Sequence, residues 1–271
     1  MNRIDGKVCL VTGSTQGLGA AIARRFAASG AAGIVTLGRN ADKGRRVAEE
    51  IARDTGADVR FVQTDLGEVD ACRAVVAAAD AAFGRIDILV NAGAITDRGG
   101  ILDTSPELFD RMIAVNLRGP FFLMQETIRR MIRDGTQGAI VNIGSISQHA
   151  GQPFIAPYCA SKGALATLTR NTAFAVMANR IRVNQLDIGW MSSENERALQ
   201  ARETGDAEWE AAAAARLPFG RLVDPEEVAR AVTFLASGDA GLMTGAVIAF
   251  DQSVWGAYPG QAPAPEAPLT L

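Results

Sequence analysis

Short apolar runs rich in β-branched residues alternate with longer segments of helical period along most of this chain. The run Val8 to Val11 precedes a helical segment at about 17–29, and later apolar runs lie at 34–37, 59–62, 86–90, 139–143, 181–183 and 246–250. Helical periods also begin near residues 41 and 68 and extend over about 107–133, 157–178 and 225–236. Strands that are apolar along their whole length are buried on both faces, as in a parallel sheet covered by helices. The sequence therefore predicts an α/β fold: a single doubly wound domain with a mostly parallel seven-stranded sheet and helices on both faces.

Two stretches lie outside this alternation. Residues 190–220 are rich in Ala and Glu and predict two short helices, which could close over a bound ligand as a lid. Residues 256–271 are rich in Pro and Ala, a composition typical of disordered tails. We therefore expect one folded domain over residues 1–255, followed by a disordered tail.

The composition excludes several classes of function. The chain has 271 residues, is 48% hydrophobic and carries a formal net charge of -3, so it offers no positive field to nucleic acid. Polar residues interrupt its longest uncharged stretch, and its start lacks the apolar segment of a secretory signal, so neither a membrane span nor secretion is predicted. Cys9, Cys72 and Cys159 are odd in number and far apart. We expect buried free thiols, no metal site and a cytoplasmic location.

A glycine-rich turn follows the first predicted strand. It reads Thr12-Gly13-Ser14-Thr15-Gln16-Gly17-Leu18-Gly19 and leads into a helical segment. Glycines at such a place let the backbone approach a pyrophosphate at the N-terminus of the helix, although many tight βα turns need glycine without binding a ligand. Together with Asn91-Ala92-Gly93 and the pair Tyr158 and Lys162, this turn resembles the motifs of the classical short-chain dehydrogenase/reductase family. The resemblance covers about residues 7–250.

The resemblance implies a single Rossmann-type domain that binds NAD(H) or NADP(H) and uses no metal.

 The cofactor contacts that the resemblance implies fall on Gly13, Gln16, Gly17, Leu18 and Gly19 at the phosphates, on Asp65 and Leu66 at the adenine, and on Asn91, Ala92 and Gly93 along the ribose. Tyr158 and Lys162 would also touch the cofactor. Beyond the sixth strand the family usually has Pro-Gly and then a Thr that reaches the nicotinamide. Here Ile188 stands in place of the Pro and Ser193 keeps a hydroxyl, which leaves the path of this loop open.

The residues at the end of the second predicted strand indicate which of the two cofactors is preferred. An acidic residue there hydrogen-bonds the 2′-hydroxyl of NAD, whereas an Arg accommodates the 2′-phosphate of NADP. This chain has Gly38 followed by Arg39. The sequence therefore favours NADP, with NAD as the alternative if Arg39 is simply a solvated side chain.

Tyr158 is the candidate acid/base, because a hydride cannot add to a ketone or leave an alcohol unless a proton moves at the oxygen. A phenol has a pKa of about 10 unless a neighbouring cation lowers it. Lys162 is four residues on, a spacing that places both side chains on one face of a helix. Since the chain contains 2 Tyr and mostly Arg as its cations, a Lys at this spacing indicates a need for a compact charge.

Two further catalytic residues are implied by the resemblance. Ser145, thirteen residues before Tyr158, would hold the substrate oxygen, with Ser147 as its rival. Asn116 would position a water that leads to Lys162. Its alternative role is that of a core amide that distorts a helix.

The segments expected to set specificity are mostly polar. They contain Gln148, His149, Gln152 and Phe154 after Ser145, and Glu194 to Arg197 after Trp190. We therefore expect an NADP-preferring enzyme, a homotetramer as is common in the family, that interconverts a secondary alcohol and a ketone, with a polyol or sugar slightly favoured. The alternatives are a 3-oxoacyl-type reductase and a non-catalytic dinucleotide-binding redox sensor.

Overall fold

A computed structural model describes residues 3–149, 151–203, 205 and 208–257 of the chain. Most of the predicted disordered tail, residues 258–271, lies outside the described residues. None of the described helices is long and apolar enough to span a bilayer.

Seven strands form one sheet in the order β3-β2-β1-β4-β5-β6-β7, and every neighbouring pair is parallel. The strands are β1 (Val8–Val11), β2 (Gly33–Gly38), β3 (Asp58–Gln63), β4 (Ile88–Asn91), β5 (Ala139–Ser145), β6 (Arg182–Ile188) and β7 (Val247–Phe250). All seven predicted strands are present. The largest difference is in β6, which continues five residues beyond the predicted run because polar Asn184, Gln185 and Asp187 are buried within it.

Helices cover both faces of the sheet. They are α1 (Gly17–Ala28), α2 (Ala41–Thr55), α3 (Val69–Phe83), α4 (Pro106–Ile113), α5 (Gly119–Arg133), α6 (Ala156–Val176), α7 (Glu194–Glu203), α8 (Trp209–Ala214) and α9 (Pro225–Ala236). One buried cluster packs α1 and α9 against one face, and a second packs α3, α5 and α6 against the other. The doubly wound architecture is thus confirmed, and α7 and α8 are the two short helices expected between residues 190 and 220.

The prediction of one continuous helix over about 107–133 is wrong in one respect. A π-helical segment, Ala114–Arg118, joins α4 to α5. At its centre the Asn116 side chain both accepts a hydrogen bond from the backbone nitrogen of Ile95 and donates one to its carbonyl oxygen. Directly after the segment, Gly119 packs against Leu66, and a Cβ on Gly119 would lie 2.4 Å from the Leu66 carbonyl oxygen. These contacts hold the chain wider than an α-helix, in the way that π-bulges often do near functional sites.

Candidate active site

The chain order reverses between β1 and β4, and a cleft opens there at the carboxyl ends of the strands. This is the position at which open α/β sheets bind ligands. The cleft is lined by all the residues predicted to bind the cofactor except Asn91: Gly13, Gln16, Gly17, Leu18, Gly19, Arg39, Asp65, Leu66, Ala92, Gly93, Tyr158, Lys162, Ile188 and Ser193.

The glycine-rich turn fits a dinucleotide pyrophosphate. Gly13 has φ +65°, and a Cβ on it would lie 2.6 Å from the Cα of Gly93; a Cβ on Gly19 would lie 2.4 Å from the carbonyl oxygen of Gly13. These two contacts need glycine. No side chain caps the N-terminus of α1, so its first backbone N–H groups are available to an anion.

Thr12 is a positioning residue of the cleft that the sequence analysis gave no role. Its buried Oγ1 accepts hydrogen bonds from the backbone nitrogens of Ala92 (2.9 Å) and Gly93 (2.7 Å). It thereby ties the turn after β4 to the glycine-rich turn. The buried side chain of Asn91 donates to Asn142 Oδ1 (2.8 Å) and does not line the cleft. The role of Thr12 depends on the neighbouring positions of β1 and β4, and that of Asn91 depends on the pairing of β4 with β5. The linear sequence shows neither contact.

Arg39 lies at the end of the cleft reached by β2. Its exposed guanidinium makes no hydrogen bond or ion pair within the described part of the chain. Lys43, on the first turn of α2, was not predicted to take part. Its Nζ contacts Gln16 Oε1 and lies 3.2 Å from Glu194 Oε2, so it connects the glycine-rich turn to α7.

Tyr158 and Lys162 lie one turn apart on the buried side of α6. The Lys162 Nζ is 5.6 Å from the centre of the Tyr158 ring and donates to the carbonyl oxygen of Ile143 (2.8 Å). Ser145 ends β5 beside them and hydrogen-bonds Tyr158, a contact that favours the phenolate. The Ser145 Oγ also lies 3.0 Å from Ser147 Oγ. The rival hydroxyl, Ser147, donates to Gln152 Oε1, and Ser145 is the serine whose hydrogen bond acts on Tyr158.

The electrostatics of this pair differ from the expectation that Lys162 lowers the pKa of Tyr158. Burial raises the pKa of Tyr158 to about 12, against the opposing hydrogen bond from Ser145. Burial also lowers the pKa of Lys162 to about 8, a fall that the nearby charge of Asp187 partly offsets. Desolvation disfavours the charged form of each group, so the protein's own residues hold Tyr158 as a neutral phenol.

Asn116 does not line the cleft. Its Oδ1 accepts from the nitrogen of Ile95, and its Nδ2 donates to the oxygen of Ile95 (both 2.9 Å) and lies 3.2 Å from Ser161 Oγ. The side chain therefore clamps the π-helical segment to the loop after β4. This arrangement matches the alternative of a core amide that distorts a helix.

The segment after β6 lies over the mouth of the cleft. Ser193 is close to the glycine-rich turn, since a Cβ on Gly17 would lie 3.9 Å from the Ser193 Cβ. Its Oγ accepts a hydrogen bond from the backbone nitrogen of Glu196 (3.2 Å) and so caps α7. Gln148 and His149 lie elsewhere: they line a separate cavity of about 280 Å³ next to Asp187, where His149 stacks on Trp255.

Comparison with known proteins identifies the family. The model of the family described as enoyl-(acyl carrier protein) reductase matches residues 13–253. Galactitol 2-dehydrogenase of Agrobacterium fabrum (strain C58) is 34% identical over 262 residues, which are 93% of this chain and 99% of that protein. The chain belongs to the short-chain dehydrogenase/reductase family. It is an NAD(P)-dependent oxidoreductase that acts on alcohol and carbonyl groups.

Solved structures of the family share the fold over nearly the whole chain. L-sorbose reductase from Gluconobacter frateurii, complexed with NADPH and L-sorbose, has a TM-score of 0.88 at 28% identity and covers 95% of this chain and 100% of its own. A gluconate 5-dehydrogenase from Burkholderia cenocepacia, in complex with NADP and tartrate, has a TM-score of 0.83 at 35% identity, with 92% and 95% covered. The Rossmann-type fold is therefore confirmed.

Proposed function

We propose that this chain is an NADP-preferring dehydrogenase/reductase that interconverts a secondary alcohol and a ketone on a polyol or sugar. The observation that carries the proposal is the convergence of Tyr158, Lys162 and Ser145 at one end of a cleft whose other end holds Arg39, a cation with no ion pair among the described residues. The names of galactitol 2-dehydrogenase and L-sorbose reductase support the substrate class, and the NADP(H) complexes support the cofactor.

The three catalytic groups have distinct proposed roles. When bound, the nicotinamide supplies the hydride to a ketone or accepts it from an alcohol. Ser145 Oγ holds the substrate oxygen, and the neutral Tyr158 phenol gives it a proton during reduction. The alcohol oxygen returns that proton to Tyr158 during oxidation, which requires the phenolate. Lys162, whose pKa is about 8, exchanges protons near neutral pH and faces the ribose.

The remaining assignments concern the residues along the cleft that would contact the cofactor. We propose that the turn from Gly13 to Gly19 binds the pyrophosphate, that Asp65 and Leu66 flank the adenine, and that the backbone from Asn91 to Gly93 lies along the ribose. Ile188 and Ser193 flank the nicotinamide. We assign no catalytic contact to the side chain of Asn116, which supports the site by holding the loop at Ile95.

Replacement of Tyr158 tests the chemistry. Tyr158→Phe keeps the ring and removes the proton donor, so turnover should fall about a hundredfold or more, while the thermal shift produced by NADP⁺ should be unchanged. Steady-state kinetics beside thermal unfolding with saturating cofactor measures both quantities. A variant that keeps its turnover would contradict the scheme.

Replacement of Arg39 tests the cofactor preference. Arg39→Ala should weaken NADPH binding about tenfold or more and leave NADH binding nearly unchanged, because only NADPH offers a 2′-phosphate to the guanidinium. Arg45→Ala is the matched control, since Arg45 is exposed on α2 and pairs with Asp42. Equal losses for the two cofactors would refute the assignment.

Two other functions remain as outcomes of the same assays. The description of the matching family model favours an acyl substrate, and reduction of a 3-oxoacyl thioester but of no sugar would establish that alternative. A non-catalytic redox sensor would bind the cofactor with no turnover of any alcohol or ketone. The buried Lys162 and its neighbour Tyr158 argue against the sensor, because cofactor binding alone does not need an acid/base pair.

We further propose that residues 1–255 form one dinucleotide-binding and catalytic domain, in which residues 190–220 act as the substrate lid. The ion pair between Lys43 and Glu194 (3.2 Å), which joins α2 to α7, supports the lid. We place the protein in the cytoplasm as a homotetramer. The free and buried thiols of Cys9 and Cys72 suit a reducing compartment.

A further inference from the structure

Trp190 emerges from the sheet beside the catalytic serine. The last residue of β6, Ile188, pairs with Ser145 across the sheet, and Trp190 follows two residues later. The indole is 42% exposed and forms a tilted pair with Trp209, with ring centroids 5.8 Å apart. Trp190 thus carries an exposed aromatic surface and directly precedes Met191, which lines the cleft.

Glu196 is fixed by neutral donors. Its Oε1 accepts hydrogen bonds from Trp190 Nε1 and Gln200 Nε2, both at 2.8 Å. Its other oxygen, Oε2, has no hydrogen-bond partner within the residues that the structure describes. The adjacent cation, Arg197, is directed away, to Glu210 Oε2 (3.1 Å) and Ser192 Oγ (2.7 Å).

No cation among the described residues therefore neutralises the charge of Glu196, and this charge affects the pKa of Tyr158. Glu196 is half-buried, and its carboxylate is among the charges that raise the pKa of Tyr158. Met191 and Ser193, which precede it in the same segment, line the cleft together with Tyr158. The backbone nitrogen of Glu196 donates to Ser193 Oγ (3.2 Å), so Glu196 is bonded directly to a residue of the cleft wall.

We propose that Trp190 and Glu196 form a hydroxyl-binding subsite that selects an uncharged, polyhydroxylated substrate. Oε2 accepts a hydrogen bond from a hydroxyl group remote from the reacting carbon, and the indole face packs against the C–H groups of the carbon chain. The same carboxylate repels a substrate that carries its own carboxylate. This inference rests on the proposed function and narrows its substrate class to neutral polyols and sugars.

The test compares two polyhydroxylated compounds that differ in charge. The purified full-length chain is assayed with NADP⁺ and either galactitol or gluconate, for the wild type, Glu196→Gln and the control Glu226→Gln, which removes the same charge from an exposed position on α9. Wild type should give at least a tenfold higher kcat/KM for galactitol. Glu196→Gln should reduce that ratio about tenfold, whereas Glu226→Gln should leave it unchanged.

A binding measurement in the inactive Tyr158→Phe variant separates the subsite from the chemistry. Galactitol added to the complex of this variant with NADP⁺ should change tryptophan fluorescence, and Trp190→Phe made in the same variant should remove most of that change. Equal effects of Glu196→Gln on both substrates, or a wild type that prefers gluconate, would overturn the subsite and leave the proposed function standing. No turnover of any alcohol or ketone with either cofactor would overturn the proposed function and the subsite with it.

Discussion

At the scale of one residue, the burial of Lys162 lowers the free energy of unfolding of the protein. Its side chain is 4% exposed, and the one hydrogen bond that its Nζ makes within the described residues goes to the carbonyl oxygen of Ile143. The pKa of about 8 means that burial of the charged form is unfavourable relative to water. A methionine of similar length would avoid this cost, so the lysine is retained for the reaction and not for the fold.

Lys162→Met should therefore stabilise the protein while abolishing turnover. Below pH 8 the wild-type lysine is charged in both states, and the full cost of its burial applies. Between pH 8 and its ordinary pKa of 10.5 the folded state loses its proton first, so wild-type stability rises with pH and the advantage of the variant shrinks. Allowing for the lost hydrogen bond, we expect a gain of about 2 kcal/mol at pH 7.

Thermal or denaturant unfolding of both proteins from pH 7 to 10.5 measures this gain, and the high-pH end serves as the internal control. A gain that stays constant over the whole range would mean that it arises from packing. A loss of stability at pH 7 would mean that Lys162 supports the fold, contrary to the argument from burial.

At the scale of elements, the sequence was informative wherever one local pattern decides the structure. The β-branched runs predicted all seven strands, and the spacing of Tyr158 and Lys162 predicted their common helical face. A helix distorted at Asn116 was one of two alternatives from the sequence, but the sequence could not decide between them, because the π-helical segment at Ala114–Arg118 depends on bonds between Asn116 and Ile95, 21 residues away in the chain. The extension of β6 likewise depends on partners for its buried polar residues.

In the candidate site, too, local motifs were predictable and contacts between distant residues were not. Motifs placed the cofactor residues around the cleft, but the different roles of Thr12, Asn91 and Lys43 depend on contacts between elements that are distant in sequence. The pKa values of Tyr158 and Lys162 were the least predictable property. Spacing alone suggests an effect of one charge on the other, whereas the burial of both groups has the larger effect.

At the scale of the whole molecule, the two edges of the sheet differ. The β3 edge carries the ion pair of Arg60 and Asp58 (2.8 Å), and such charges discourage strand pairing with another chain. The opposite edge strand, β7, is entirely apolar, and close to it in sequence Leu242 is 98% and Val254 77% exposed. On α6, Phe174 is 80% exposed. Exposed apolar surface of this extent is typical of subunit interfaces.

If this surface is an interface of the tetramer proposed above, the wild type should have a solution mass four times that of the 28.5 kDa chain. Leu242→Glu and Phe174→Glu should each lower that mass, because a glutamate at a contact must be desolvated without a partner. Gln137→Glu, which adds the same charge at an exposed polar position, should leave it unchanged. Light scattering coupled to size exclusion measures the mass of all four proteins. A wild type of 28.5 kDa would contradict the tetramer, and the apolar β7 edge would then need another covering partner.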